Sequence, residues 1–469
     1  QYVLGQTIDD AISVKTKKSL FSFDMLGEGS RTENDSIKYF EAYSNAIKRI
    51  GRFSAPGKSV EENDGISVKL SALHNRYEFR HESTVMKKLY QRIKKLCLEA
   101  KSFNISLSLD AEESVRLDLA MQIFEKLSKE PELNGWDGLG FVLQSYLKRA
   151  PLVLKWLDAL ASETNQKFMI RLVKGAYWDT EIKRAQEKGL KEYPVYTRKV
   201  NTDACYHYCT HLLSLNQGNL YPQFATHNAY TMALIAEIFK NQNFEFQRLH
   251  GMGVALYDEI KRLYLPSLKA RVYAPVGDHN DLLPYLVRRL LENGANSSFV
   301  NRFLDDKEPA TKLVEDPIKK ISQLKEYRNS EIKLPNEIFL NSETKRINSY
   351  GLDTQNFNDF HSIKLIHKQM KNKFFDANSI VNGEICYNPP ITQKSSFDNR
   401  EIGRWSSAST KDIKSIAKFC NSSSREISNK SKSQRIQSLK KMADLLETKA
   451  LELSYILGVE AGRTIDDAL

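Results

Sequence analysis

FMIRLVK, residues 168–174, is a short apolar run that closes on a cation; a glycine and then a longer helix-like stretch follow it. The same unit recurs from Phe21 to about Val300: a strand-length run ending in a polar residue, then a segment whose apolar residues fall three and four apart. Working outward from residue 168, the other runs are FSFD (21–24), ISVKL (66–70), ISLSLD (105–110), FVLQ (141–144), PQFATHN (222–228), FEFQRLHG (244–251) and RVYAPVG (271–277). Eight strand signals alternating with helices predict an α/β fold, a (β/α)8 TIM-like barrel, because parallel strands need a crossover element between each pair. A doubly wound open sheet is the competing arrangement, but eight units in about 260 residues fit the barrel's usual size better.

Polar residues close nearly every run: Asp24, Lys69, Asp110, Gln144, Arg171 with Lys174, His227 with Asn228, Gln247 with His250, and Tyr273. A charged group at a buried strand end is costly unless it has work there, and in barrels this end is the active-site face. Strand-end solvation accounts for any one of them but not comfortably for all. In LLPYLVRRLLENGAN, Tyr285, Arg288, Arg289 and Glu292 share one side of a helix beside the apolar stripe Leu283, Leu286, Val287 and Leu290. Adjacent arginines there can clamp an anion, since guanidinium donors match a carboxylate two at a time; in isolation, a surface pair is the commoner reading. RLVKGAYWD sets Arg171 and Lys174 around Gly175, ahead of Tyr177 and Trp178, which suits a flat or phosphate-bearing cofactor. GEGSRT (27–32) lacks a third glycine and is a weak phosphate-loop signal.

The bulk properties bound these readings. At 469 residues the chain exceeds one core, which stops growing near roughly 250–300 residues, so two domains are expected. Hydrophobic (41%) and charged (27%) fractions are ordinary globular values, and no run of about 18 apolar residues could span a bilayer. The opening on Gln1, with no signal-peptide pattern, suggests a segment of a longer protein. Five scattered cysteines favour a reducing compartment. Cys205, His207, Cys209 and His211 alternate, but on a helix the two pairs point to different faces, so no metal site is expected. Of the net charge of +11, residues 411–441 contribute +7, nine Lys or Arg against two acids. Ile413, Ile416, Ile436 and Leu439 interleave with them at helical spacing, so a solvated helix face is favoured; a basic fragment binding nucleic acid or anionic lipid without catalysis is the alternative.

After Val300 the texture changes. The expected division is an N-terminal helical stub (1–20), the barrel (21–305), a connector (306–375) and a second part (376–469). The last holds short strands in SIVNGEICYNPP and NREIGRWSSAS and an amphipathic helix from about Ser433, and nothing in it closes a core alone.

SFDMLGEGSRT, GISVKLSALHNRYE, LDAEESVRLDL, GFVLQSYLKR, MIRLVKGAYWDTEIKRAQEKGL, YPVYTRKVNTD, FATHNAYT, FEFQRLHGMG and YAPVGDHNDLLPYLVRRLLENGANSSFVNR together resemble the bifunctional proline utilization A flavoenzymes from about residue 3 to 305. The stretch up to LLETKALELSYILGVEAGRTIDDAL is similar, less specifically, to the start of that family's aldehyde dehydrogenase domain. The resemblance implies a barrel that binds FAD noncovalently, oxidises L-proline to 1-pyrroline-5-carboxylate and passes electrons to a membrane quinone. It further implies an incomplete aldehyde dehydrogenase domain, with NAD used only in the part of the parent protein missing here. By the same resemblance Lys69, Asp110, Tyr273, Arg288 and Arg289 are the catalytic residues. Arg288 and Arg289 hold the proline carboxylate, Glu28 pairs with the clamp, and Tyr177, Tyr273 and Leu172 line the ring pocket. Flavin contacts fall to Gln144, Arg171, Val173, Lys174, Gly175, Trp178, Thr197, Thr226, His227, Asn228 and Glu292. The implied setting is cytoplasmic and peripheral to the inner membrane face, in a possible homo-oligomer, with no nucleic-acid partner for this segment.

Overall fold

The alternation in ISLSLD and its counterparts sorts the strand side chains into two sets, and both sets can be followed around a closed ring. The computed structural model describes residues 3–294 and 316–469, apart from 17, 18, 56, 217, 265, 267, 342, 344 and 382. It divides into two compact units, one of residues 1–187 and 192–334 and one of 188–191 and 335–469.

In the first unit β1 (Leu20–Met25), β2 (Gly65–Val68), β3 (Ser106–Leu109), β4 (Leu139–Gln144), β5 (Phe168–Val173), β6 (Leu220–Ala225), β7 (Glu245–Leu249) and β8 (Ala270–Val276) form a closed parallel barrel in chain order. All eight fall on the runs quoted above. Helices cross between them, among them Glu33–Gly51, Tyr90–Ser102, Leu117–Ser128, Ala150–Thr164, Lys199–Leu215, Ala229–Ile238 and Val254–Leu263, and His279–Gly294 follows β8. Thr7 and Thr32 cap the helices Ile8–Val14 and Glu33–Gly51, with Asp10 and Asp35 returning the bond three residues on.

Register shows which set faces inward. Ser22 pairs with Gly65 and Tyr273, Ser67 with Asp24 and Ser108, Ser108 with Gly140, Arg171 with Val142 and Gln223, and Gln247 with Arg271. Ordinary barrels fill the lumen with layers of Val, Ile and Leu. Here that face is polar, and the apolar set packs outward under the helices: Phe124 meets Phe141 and Phe168 at 5.2 and 4.9 Å, and Phe224 meets Phe239 at 5.0 Å between ring centres. Beta-branched or larger residues at 65 and 140 would not fit, because even a Cβ there would lie 2.1 and 2.4 Å from the Ser106 and Ser108 hydroxyls.

At the N-terminal end of the barrel the buried Arg271 donates to Glu245 (2.7 and 3.0 Å) and to the carbonyls of Asn63 (2.7 Å) and Glu61 (2.8 Å). Gln223 and Gln247 donate to the same Glu245 carboxylate at 2.9 and 2.7 Å. Gln247, read from the sequence as a strand-end group, therefore belongs to this floor, because β7 runs two residues beyond it.

In the second unit Phe375–Asn378, Glu401–Ser406 and Ile391–Lys394 form a three-stranded sheet, and Ile380–Val381 pairs with Glu384–Ile385. Met370, Ile402, Tyr455 and Val459 make a small core backed by Ile366, Phe375 and Ile456; Ile366, Met370 and Phe375 come from before residue 376, so the last part closes this surface together with the preceding segment. The helix Lys432–Thr448 keeps its stripe open: Ile436, Leu439, Met442, Leu445 and Leu446 are all exposed, Leu439 at 63%. Among the described residues no helix is long and apolar enough to cross a membrane.

The floor pair and the open stripe should respond oppositely to substitution. Glu245→Leu strands the Arg271 cation and is expected to cost about 3–5 kcal/mol, whereas Leu439→Ser should change stability by less than about 0.5 kcal/mol. Urea unfolding followed by tryptophan fluorescence distinguishes them, and equal midpoints for the two variants would contradict the assignment.

Candidate active site

The C-terminal ends of β1, β2, β3, β5 and β8 bring five long polar side chains to one place. Arg171 on β5 crosses the lumen and donates to Asp110 Oδ1 (2.8 Å), Ser67 Oγ (2.8 Å) and Ser22 Oγ (3.2 Å). Tyr273 donates to the other Asp110 oxygen at 2.7 Å, and its ring lies 5.2 Å from the Arg171 guanidinium. Lys69, the residue after β2, donates to Asp24 at 2.7 Å and lies 3.5 Å from Asp110, while its backbone N–H donates to Tyr43 Oη at 3.2 Å. The Lys69 and Asp24 side chains are only 7% and 0% exposed, so this is a buried pair.

Burial works against both charges. It pushes the Lys69 ammonium down, but Asp24, Tyr273 and Asp110 outweigh it and hold Lys69 well above its ordinary value. Burial lifts the Asp24 carboxyl despite Lys69, with Asp110 adding to the rise. Burial also raises the Tyr273 hydroxyl well above its usual range, helped by Asp110 and Asp24. Tyr273 is therefore a donor at neutral pH and Lys69 a cation.

Above this network stands the helix His279–Gly294. Arg288 makes a two-pronged pair with Glu28 in the loop after β1, one arm at 2.8 Å, and its guanidinium lies 5.2 Å from the Tyr177 ring. The neighbouring Arg289 lies 5.0 Å from the Tyr285 ring. Lys69 and Arg288 both act on the Glu28 carboxyl, and Asp24 and Lys69 both act on Tyr285, so the helix face and the strand network share one site.

The structure thus brings Glu28, Lys69, Asp110, Tyr177, Tyr273, Arg288 and Arg289 together. It adds Asp24 and Tyr285, which the sequence reading left out of the site although Asp24 closes a quoted run. Leu172 is a correction. It pairs with Phe224 on the outward face of the barrel, fully buried, with its carbonyl accepting from Tyr206 Oη at 3.3 Å, so it does not line the pocket. The apolar residue that pairs with Tyr273 at the mouth is Leu249.

The remaining expected residues ring the same end of the barrel. Val173 pairs with Gln144, whose amide donates to Glu112 O (2.8 Å) and accepts from Ala176 N (3.2 Å). Lys174 pairs with Asp203, Trp178 donates to Tyr196 O (2.8 Å), and Thr197 accepts from Asn329 N (2.9 Å). Thr226 accepts from Asn228 N (3.1 Å), Asn228 caps the helix Ala229–Ile238, and His227 accepts from Leu249 N (3.3 Å). The Glu292 side chain lies outside the described residues. Cys205 and Cys209 are buried on their helix, and His207 lies 5.6 Å from the Tyr230 ring. No group of His, Cys, Asp and Glu suited to a metal occurs among the described residues.

The proline dehydrogenase family profile matches residues 7–302, and the aldehyde dehydrogenase family profile matches residues 388–469. The Bifunctional protein PutA of Salmonella typhimurium is 47% identical over 377 residues, covering 76% of this chain and 28% of that protein. The mitochondrial Proline dehydrogenase 2 of Arabidopsis thaliana is 29% identical over 233 residues, 45% of this chain and 46% of the relative. A crystal structure of a Bradyrhizobium japonicum Proline Utilization A (PutA) mutant superposes with a TM-score of 0.86 at 38% identity, covering 100% of this chain and 44% of that one. PutA from Bdellovibrio bacteriovorus, inactivated by N-propargylglycine, gives 0.89 at 25% identity, with 100% and 49% covered. The chain thus spans 28% of the length of its Salmonella PutA relative.

The electrostatics of Glu28 carry a sign that can be measured. Burial pushes its carboxyl up, but the Arg288 hydrogen bonds, with Lys69 and Arg116, outweigh it and hold the folded-state value below 4.5. The pair therefore stabilises the fold fully above pH 4.5, and that contribution disappears as pH falls through the lower folded-state value. The stability difference between the wild type and Glu28→Gln should be constant above pH 4.5 and shrink below it; a difference that grows on acidification would contradict the assignment.

Proposed function

The chain belongs to the proline dehydrogenase family, and from that premise we propose that it oxidises L-proline to 1-pyrroline-5-carboxylate with a noncovalently bound FAD and passes the electrons to a membrane quinone. The observation that carries this reading is the meeting of a two-arginine helix face with a buried Lys69–Asp24–Asp110–Tyr273 network at the mouth of the barrel. A carboxylate clamp beside a charged, water-poor strand end suits an amino acid whose reacting atoms lie one ring away from its carboxylate.

The residues present fit a flavin dinucleotide. Gly175 has φ +141°, and a Cβ there would lie 2.4 Å from the Tyr146 ring, so a bare backbone follows Lys174 at the end of β5. The N-terminus of Ala229–Ile238 opens next to Thr226, His227 and Asn228, a donor set suited to phosphate. Asp24 Oδ2 is buried with no hydrogen-bond partner among the described residues, so the lumen mouth holds an unspent polar atom. On this reading Gln144, Arg171, Val173, Lys174, Gly175, Trp178, Thr197, Thr226, His227, Asn228 and Glu292 hold the cofactor.

A bound flavin supplies the acceptor for the hydride that leaves the ring carbon next to nitrogen. Loss of that hydride and of one nitrogen proton leaves the carbon–nitrogen double bond of the product. Arg288 and Arg289 fix the carboxylate; Tyr177 and Tyr273 cover the ring. Lys69, held as a cation, disfavours a second positive charge close by and so favours proline with a neutral amine. Asp110 is the candidate to take the nitrogen proton, because Lys69 as an ammonium has no lone pair to receive it.

We assign residues 21–305 to this activity, 306–375 to a connector and 376–469 to the start of an aldehyde dehydrogenase domain. The NAD-dependent oxidation of glutamate semialdehyde then belongs to the parent protein, in a cytoplasmic setting with peripheral membrane contact during turnover.

Purified protein should show flavin bands in the blue and reduce a dye with proline; a colourless protein that FAD cannot reconstitute would sink the reading. Arg289→Met should raise the KM for proline about ten- to a hundredfold at normal flavin content, as expected for a charge-assisted bond of roughly 1.5–3 kcal/mol. An unchanged KM would remove Arg289 from the clamp.

A further inference from the structure

We propose that Tyr39 is a positioning residue for the carboxylate clamp, tying the loop that carries Glu28 to the helix that carries Arg288 and Arg289. The inference rests on the reading of those arginines as a carboxylate site.

Tyr39 lies on the helix Glu33–Gly51 and touches both halves of the clamp. Its hydroxyl donates to Asp281 Oδ1 at 3.1 Å, a contact across 242 residues of chain. Asp281 lies in the first turn of the clamp helix, seven residues before Arg288, so the two occupy the same helix face two turns apart. The other contact is the Tyr39 ring against Gly27. That glycine has φ +126°, and a Cβ on it would fall 2.1 Å from the ring, so only glycine lets the loop lie flat on the tyrosine.

Glu28 follows Gly27 directly and reaches Arg288. The contacts therefore close a circuit: Gly27 to Tyr39, Tyr39 to Asp281, two turns of helix to Arg288, and Arg288 through Glu28 back to Gly27. A helix held at one point can pivot, whereas two points on one face fix its rotation and its distance from the loop. The neighbouring Arg289 is then presented at a fixed angle. The Asp281 charge, after burial, helps push the Tyr39 hydroxyl up to about 12, so it stays a hydrogen-bond donor across the working pH range.

The circuit makes a prediction that a purely structural tyrosine would not. In the full chain, Tyr39→Phe removes the hydroxyl but keeps the ring on Gly27. It should raise the KM for proline and the inhibition constant of cyclopentanecarboxylate by the same factor, about three- to tenfold, the worth of one hydrogen bond. The kcat at saturating proline, the flavin content and the thermal midpoint should stay near wild type. Asp281→Ala should reproduce the effect, and the double variant should add nothing further, since both remove one bond. An unchanged KM in Tyr39→Phe, a loss confined to kcat, or single-variant effects that multiply in the double would each overturn the proposal. Arg289→Met separates this from the parent reading. If Arg289→Met raises the KM and Tyr39→Phe does not, only the positioning role falls; if Arg289→Met also leaves the KM unchanged, the clamp itself falls with it.

Discussion

Arg171 is the side chain around which the barrel interior is arranged. A guanidinium carries donors in a rigid planar fork, and here the fork spans the lumen from β5 to Ser22, Ser67 and Asp110. That reach is possible only because the facing strands carry serines and glycines where other barrels carry branched apolar residues. Asp110, once fixed by Arg171, is held also by Tyr273 and stands 3.5 Å from Lys69, which in turn meets Asp24. The serine pattern of β1 to β3 and the positions of the mouth residues are thus consequences of one buried cation and its need for partners.

The same barrel holds a second buried cation, and the two ends differ in a way that bears on function. At the floor, Arg271 is matched by Glu245 and by backbone carbonyls, and two glutamines complete the carboxylate. The cation there is directed at protein acceptors, although Gln223 Oε1 and Gln247 Oε1 are buried with no hydrogen-bond partner among the described residues. At the mouth, Asp24 Oδ2 has no partner among the described residues, and burial opposes the charges of both Asp24 and Lys69. Unpartnered buried acceptors thus occur at both ends, and what sets the mouth apart is its place where the βα loops converge, the active-site face of barrels.

Much of this was legible in the sequence, and the exceptions have identifiable causes. Each quoted run falls on a barrel strand because a short apolar or alternating run that ends in a polar residue and gives way to a helical period marks a strand. Leu172 was placed in the pocket by resemblance, although its position next to the inward Arg171 already required it to face outward. Asp24 was counted as a strand-end group but left out of the site, since one acid at one strand end carries no information about a lysine 45 residues away. Tyr39 and Asp281, 242 residues apart, gave no local signal at all. The small core of the second unit gave no local signal either, because Met370, Ile402 and Tyr455 meet only after the chain has folded.

The two charged assemblies at the mouth differ in what holds them, and this decides which of them can yield to a substrate. Lys69, Asp24, Asp110 and Arg171 are at most 9% exposed and sit on or directly after strands, so moving one means breaking register in a closed sheet. Glu28 and Arg288, at 20% and 13% exposure, sit on a loop and a helix, where solvent screens their attraction more strongly. On the reading proposed for the clamp, an entering carboxylate would meet the Arg288 guanidinium where solvent already reaches it. The buried network offers no such access, because the lumen has already taken those charges out of water. On that reading, substrate access is a property of the loop and helix, and the field at the reacting atoms a property of the barrel.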